Sequence, residues 1–173
     1  MKKFTLIFSV LFLTMYIGFA QAPLLDGEKQ VNLGVGLSSH GLPIYGGLEF
    51  GIGHNISVGG ELSHRSDKEK ISSYKWKNSY TSIAGIGNYH FNEILGIPSH
   101  WDFYAGLSLG FTVFSSKWDG PGSDIGYSGS GSSGLYLNGQ VGGRYFFKDK
   151  MAVNLEFGGG NYFSGGKIGI TVL

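Results

Sequence analysis

The chain has 173 residues, with 13 Lys and Arg against 12 Asp and Glu. That is enough for one domain, and it offers no polycationic surface for nucleic acid. The absence of cysteine excludes disulfides and thiolate metal sites, and the 31 glycines follow no three-residue period, which excludes a collagen-like rod.

The chain opens MKKFTLIFSVLFLTMYIGFAQA. Lys2 and Lys3 form a positive start, residues 4–20 are uncharged and mostly apolar, and small residues follow. This is the pattern of a secretory signal peptide, on a stretch shorter than the ~20 residues a membrane span usually needs. Cleavage after Ala20 or after Ala22 satisfies the small-x-small rule. The second would leave Pro23 first, so the cut after Ala20 is favoured. The expected organisation is a signal peptide over 1–20 and one β-domain over 21–173.

Segments with a two-residue period then recur. Residues 30–38 put Val31, Leu33, Val35 and Leu37 on one face and Asn32, Gly34 and Gly36 on the other. In 44–52, Ile44, Leu48, Phe50 and Ile52 oppose Tyr45, Gly47, Glu49 and Gly51. In 56–63, Ile56, Val58 and Leu62 oppose Ser57, Gly59, Glu61 and Ser63. Residues 82–91 are less regular, with Ile83, Tyr89 and Phe91 set against Ala84, Ile86, Asn88 and His90. Residues 101–114, WDFYAGLSLGFTVF, have seven apolar residues on one face and small or polar ones, with Tyr104 and Phe114, on the other. Segments 135–147, 151–158 and 166–173 repeat the pattern. Side chains alternate across a strand, so each segment has one oily side. Eight such segments, with no helix expected, are the signature of an eight-stranded antiparallel up-and-down transmembrane β-barrel.

With the N-terminus in the periplasm, the two longest connections, 66–79 and 116–133, fall on the external side. The periplasmic ones are GHN, EILGIPSH and KDK. Trp101, Tyr89, Phe91, Tyr145 and Phe147 are expected to form the periplasmic aromatic girdle, and Trp118, Tyr162 and Phe163 the outer one.

The small-polar faces carry Glu49, Glu61, Asp102, Arg144, Glu156 and Lys167, whereas the oily faces carry no charge. Charge at the lipid midplane costs roughly 2–4 kcal/mol for Arg or Lys, so these six residues must turn inward. Inside a narrow barrel they must be paired or wetted. A polar network that plugs the lumen is expected; a proton or ion path is the alternative.

The external connections supply candidates for a surface ligand. Arg65, Lys68, Lys70, Lys75 and Lys77 interleave with Tyr74 and Trp76, and Trp118 opens the second long connection. This mixture suits lipopolysaccharide phosphates, glycans or an anionic host surface. Asp119 and Asp124 match no defined calcium spacing, and the five histidines show no metal pattern, so no metal or cofactor is expected.

The signal peptide, the glycine- and aromatic-rich strands and the DFYAGLSLGF segment together resemble the small eight-stranded outer-membrane barrels, the OmpA/OmpX-like superfamily of Gram-negative bacteria. The resemblance covers residues 21–173. It implies residence in the outer membrane, contact with lipopolysaccharide and handling by the barrel assembly machinery. Such families include adhesion and serum-resistance factors, structural anchors, small-solute channels and a few lipid A enzymes. Many members end in an aromatic residue, whereas this chain ends in Leu173. His64 and Ser66 match the His-x-Ser pair of some lipid A deacylases, but no acid is placed to orient them, so an enzyme is not expected. The expected role is envelope structure or surface interaction through the external loops. The alternatives are a narrow porin-like channel, a secreted soluble lipocalin-like barrel and a lipid A-modifying barrel enzyme.

Overall fold

Alternation of apolar with small or polar residues makes each segment a strand with two unlike faces, and eight of them close on themselves. The computed structural model describes residues 24–38, 41–71, 74–118, 131–161 and 164–173; for 68–71, 74–75 and 118 it describes the backbone alone. The strands are β1 Lys29–Ser38, β2 Ile44–Gly51, β3 Ile56–Ile71, β4 Tyr74–His90, β5 Trp101–Trp118, β6 Gly134–Lys148, β7 Met151–Gly160 and β8 Ser164–Val172. Each pairs antiparallel with its sequence neighbour, and β8 returns to β1 in a register running from Val31↔Val172 to Ser38↔Gly165.

The barrel is inside-out relative to a soluble protein. Leu33, Ile83, Leu107 and Leu135 on the exterior are 58–69% exposed, while Gln30, Glu49, Asp102 and Arg144 are buried in the lumen. A continuous apolar exterior over a polar interior overturns the soluble lipocalin-like alternative, whose exterior would have to be wettable. Exposed charges on the outer faces of the strands sit near strand ends, at Lys29, Lys77, Lys117 and Lys148.

Three expectations change. Residues 66–71 and 74–79 are strand rather than loop: β3 and β4 continue past the apolar band, paired as far as Ile71↔Tyr74. Likewise β5 runs on to Trp118, paired with Trp76. In addition, a one-turn helix, α1, Asn92–Leu95, follows β4 and ends at Gly96 with a left-handed φ of 58°. Asn92 locks it to β5, donating to the Trp101 carbonyl at 2.5 Å and accepting from Phe103 N–H at 3.2 Å.

The aromatic residues expected at the periplasmic girdle gather around β5. Trp101 stacks on Phe103 at 5.6 Å and meets Tyr145 at 4.7 Å, and Tyr89 lies 5.3 Å from Phe91. The expected signal peptide, residues 119–130 and the Tyr162 and Phe163 of the expected outer girdle lie outside the described residues. At the periplasmic end of the lumen, Phe146 and Ala152 are buried, with Leu173 packed against them as an apolar floor.

Candidate functional site in the lumen

Small residues opposite large ones fit the side chains into so narrow a tube. A Cβ on Gly142 would come within 2.4 Å of the Tyr104 ring, and one on Gly110 within 2.6 Å of the Tyr136 ring. Those glycines are what allow inward tyrosines to lie across the barrel.

The deep part of the lumen is a buried charge cluster. Arg144 on β6 donates through Nη2 to Glu49 on β2 at 2.6 Å and through Nη1 to Asp102 on β5 at 2.7 Å. Its guanidinium lies 4.1 Å from the centre of the Tyr104 ring. Glu49 also accepts from Asn32 at 2.6 Å, Ser57 at 2.8 Å and Asn88 at 2.9 Å. His90 bridges the rest, with Nδ1 2.7 Å from Asp102 Oδ1 and Nε2 2.9 Å from Ser57 Oγ. His90 and Arg144 thus tie Glu49, Asp102 and Ser57 into one buried network.

A relay of neutral groups joins this cluster to a second one. Asn32 accepts from Thr171 at 2.6 Å, Thr171 from Asn154 at 3.0 Å, and Asn154 from the Tyr45 hydroxyl at 2.9 Å. Above them, Lys167 on β8 donates to both oxygens of Glu61 at 2.7 and 2.8 Å and reaches Glu156 at 3.1 Å. Tyr104 donates to Glu156 at 2.9 Å. This upper cluster has two acids and one base. Its side chains are 14–18% exposed, against 0–2% for the charged groups below.

The lumen thus brings Glu49, Asp102 and Arg144 into one cluster and Glu61, Glu156 and Lys167 into another. Sequence reasoning placed His90 and Asn88 inward but did not join them to the charges. The signal available was their shared parity with Ala84 on β4.

The external candidates are dispersed. Arg65 turns into the lumen mouth, its guanidinium 4.2 Å from the centre of the Tyr80 ring. Trp76 is 2% exposed, so its ring is not presented to a ligand: it shares parity with Asn78 and Tyr80 on the inner face of β4. Lys77 is exposed, and the strand registers set it beside Lys68 on β3 and Lys117 on β5. The side chains of Lys68, Lys70, Tyr74, Lys75 and Trp118 lie outside the description. His64 and Ser66 are both exposed on the outer face of β3; Nδ1 of His64 is 2.9 Å from Thr81 Oγ1, and no acid bonds to it among the described residues.

No protein-family model and no curated protein sequence matches the chain. Solved structures do. The outer membrane protein OprG from Pseudomonas aeruginosa superposes with a TM-score of 0.58 at 12% identity, over 86% of this chain and 91% of that one. The attachment invasion locus protein Ail of Yersinia pestis, in complex with the heparin analogue sucrose octasulfate, gives 0.52 at 13% identity, over 85% and 95%. Neisserial surface protein A gives 0.51 at 16% identity, over 83% and 93%. Together with the apolar exterior and the charged interior, these likenesses make this chain a membrane-spanning barrel with the OmpA/OmpX-like fold of the small eight-stranded outer-membrane proteins.

Proposed function

We propose that this protein is a non-conducting outer-membrane barrel that works in envelope structure or surface interaction through its external side. The observation that carries this reading is the deep cluster. Glu49, Arg144, Asp102 and His90 join β2, β4, β5 and β6 across the bore, above the Phe146 floor. Solute passing that level would have to separate buried ion pairs, each break costing about 3–5 kcal/mol. Conductance across a planar bilayer tests it. The wild-type protein is expected to give no steps above the lipid background, and sustained steps would establish the narrow-channel alternative instead. No chemistry is assigned to the lumen or to His64, so catalysis has no part in the proposal. Replacing Ser66 with Ala is expected to leave lipid A acylation unchanged.

The external partner we propose is lipopolysaccharide. The registers Lys68↔Lys77 and Lys77↔Lys117 set three lysines side by side on adjacent strands at the outer rim. Like charges opposite one another in a sheet are destabilising, and phosphate groups at that level would offset the repulsion. Ail's complex with a heparin analogue gives a neighbour of the same fold that takes a polyanion. Added lipopolysaccharide should therefore raise the unfolding temperature of the wild type, and less so that of Lys77→Gln/Lys117→Gln. The assembly machinery of the outer membrane is the expected partner in insertion.

A further inference from the structure

Among the described residues, three cations lie along the lumen, each against a tyrosine ring: Arg144 with Tyr104, Lys167 with Tyr45 and Arg65 with Tyr80. The first two are each held by two carboxylates. Arg65 differs. Its one hydrogen bond among the described residues is a long one, 3.5 Å from Nη1 to Ser38 Oγ, and no carboxylate there pairs with it.

Arg65 lines a pocket that opens at the external end of the barrel. The pocket has about 600 Å3 of space counting its mouth, of which about 60 Å3 has room for the centre of a water molecule. Tyr45, Tyr80 and Tyr136 line it together with the hydroxyl side chains Ser63, Ser82, Ser108 and Thr112, and Glu61 and Lys167 lie at its inner end. A smaller space of about 20 Å3 shares Ser108, Asn138 and Lys167 with it and extends to Glu156.

We propose that this vestibule binds a single carboxylated sugar residue from outside the cell, its carboxylate on Arg65 and its ring among the tyrosines and hydroxyls. A guanidinium fork without a carboxylate of its own matches a planar carboxylate. The charge of the ligand is set from below. Glu61 and Glu156 against Lys167 and Arg65 leave the vestibule without net charge, so each negative charge on a ligand adds repulsion from the two carboxylates, and a monoanion is favoured over a dianion such as a phosphate monoester. The ring is set by the walls: a pyranose has an apolar face for tyrosine and a rim of hydroxyls for Ser and Thr. The small interior volume limits the ligand to one residue seated partly in the mouth. The inference rests on the plugged lumen, because a vestibule needs a floor.

Titration calorimetry of the full barrel in detergent micelles tests it, with glucuronate, glucose and glycine as probes and bilayer conductance recorded on the same preparation. Glucuronate should bind about tenfold more tightly than glucose, the size of one charge-assisted hydrogen bond. Arg65→Gln should erase that preference, and Arg65→Lys, which keeps the charge but loses the fork, should retain part of it. Heat-modifiable gel migration shows that each variant is folded, and the wild-type comparison needs no variant. Equal binding of glucuronate and glucose, or no binding of either, overturns the site. Glycine binding as well as glucuronate overturns the sugar while leaving the carboxylate contact. Conductance steps would instead remove the floor on which both readings stand. With the site established, a polysaccharide bearing terminal uronic acid that competes with glucuronate identifies a glycan end as the source, and failure to compete identifies the free sugar acid.

Discussion

The deep lumen and the lumen mouth are built from the same residue types, yet they are opposite solutions. Below, Arg144 bridges Glu49 and Asp102, His90 bonds to Asp102, and all four side chains are shut away from water. Above, Lys167 is shared between Glu61 and Glu156 and partly wetted, and Arg65 has no acid. A region sealed on all sides must satisfy its charges internally, because an uncompensated buried ion costs several kcal/mol. A region open to solvent can leave one charge for a visitor. What separates a plug from a binding site here is access to water, not composition.

The sharpest way to break this contrast is Arg144→Met. It strands two buried carboxylates, and the loss should be about 3–5 kcal/mol, read from urea unfolding in detergent. Lys167→Met strands Glu61 and Glu156 where water can reach them. A smaller loss, about 2–3 kcal/mol, is expected in the same assay; a loss equal to that of Arg144→Met would show that the two levels are equally sealed. Gly142→Ala tests the deep packing without touching a charge. It must push Tyr104 off Arg144, and overpacking of this kind costs about 1–3 kcal/mol. If unfolding is unchanged, the tyrosine was free to move. At the rim, Lys77→Gln removes a charge that lies in water beside other lysines. In lipopolysaccharide-free detergent it should change stability by no more than about 0.5 kcal/mol.

The lipid-bathed part of the barrel was legible because lipid enforces a strict alternation. From Val31 to Leu37 every second residue is apolar, and the faces could be assigned before any strand was seen. Where the strands leave the lipid the rule lapses. In the SDKEKISSYKWKNS stretch the outer face has left the lipid, so charge appears at either parity, and an extended hairpin reads as a loop. The site was legible only by inventory. Parity pointed six charges inward, but the choice of partner depends on how the strands stagger around the bore. Arg144 meets Glu49, 95 positions away, and neither residue's neighbours in sequence announce that. Arg65 is a similar case. It sits beside a lysine-rich stretch and so looks external, although its odd parity on β3, shared with Glu61 and Ser63, already turned it inward.

The closing seam bears on how the molecule comes to be. Thr171 reaches Asn32 across 139 positions and Lys167 reaches Glu61 across 106, so the last strand made supplies partners to the first and the third. Until β8 docks, Asn32 lacks its Thr171 donor and Glu61 its lysine. A half-made sheet would then carry unpaired polar groups on one side and an oily surface on the other. Contacts this distant in sequence form slowly. The interior therefore acts as a completion check: Asn32 and Glu61 meet these partners only when the circle is whole.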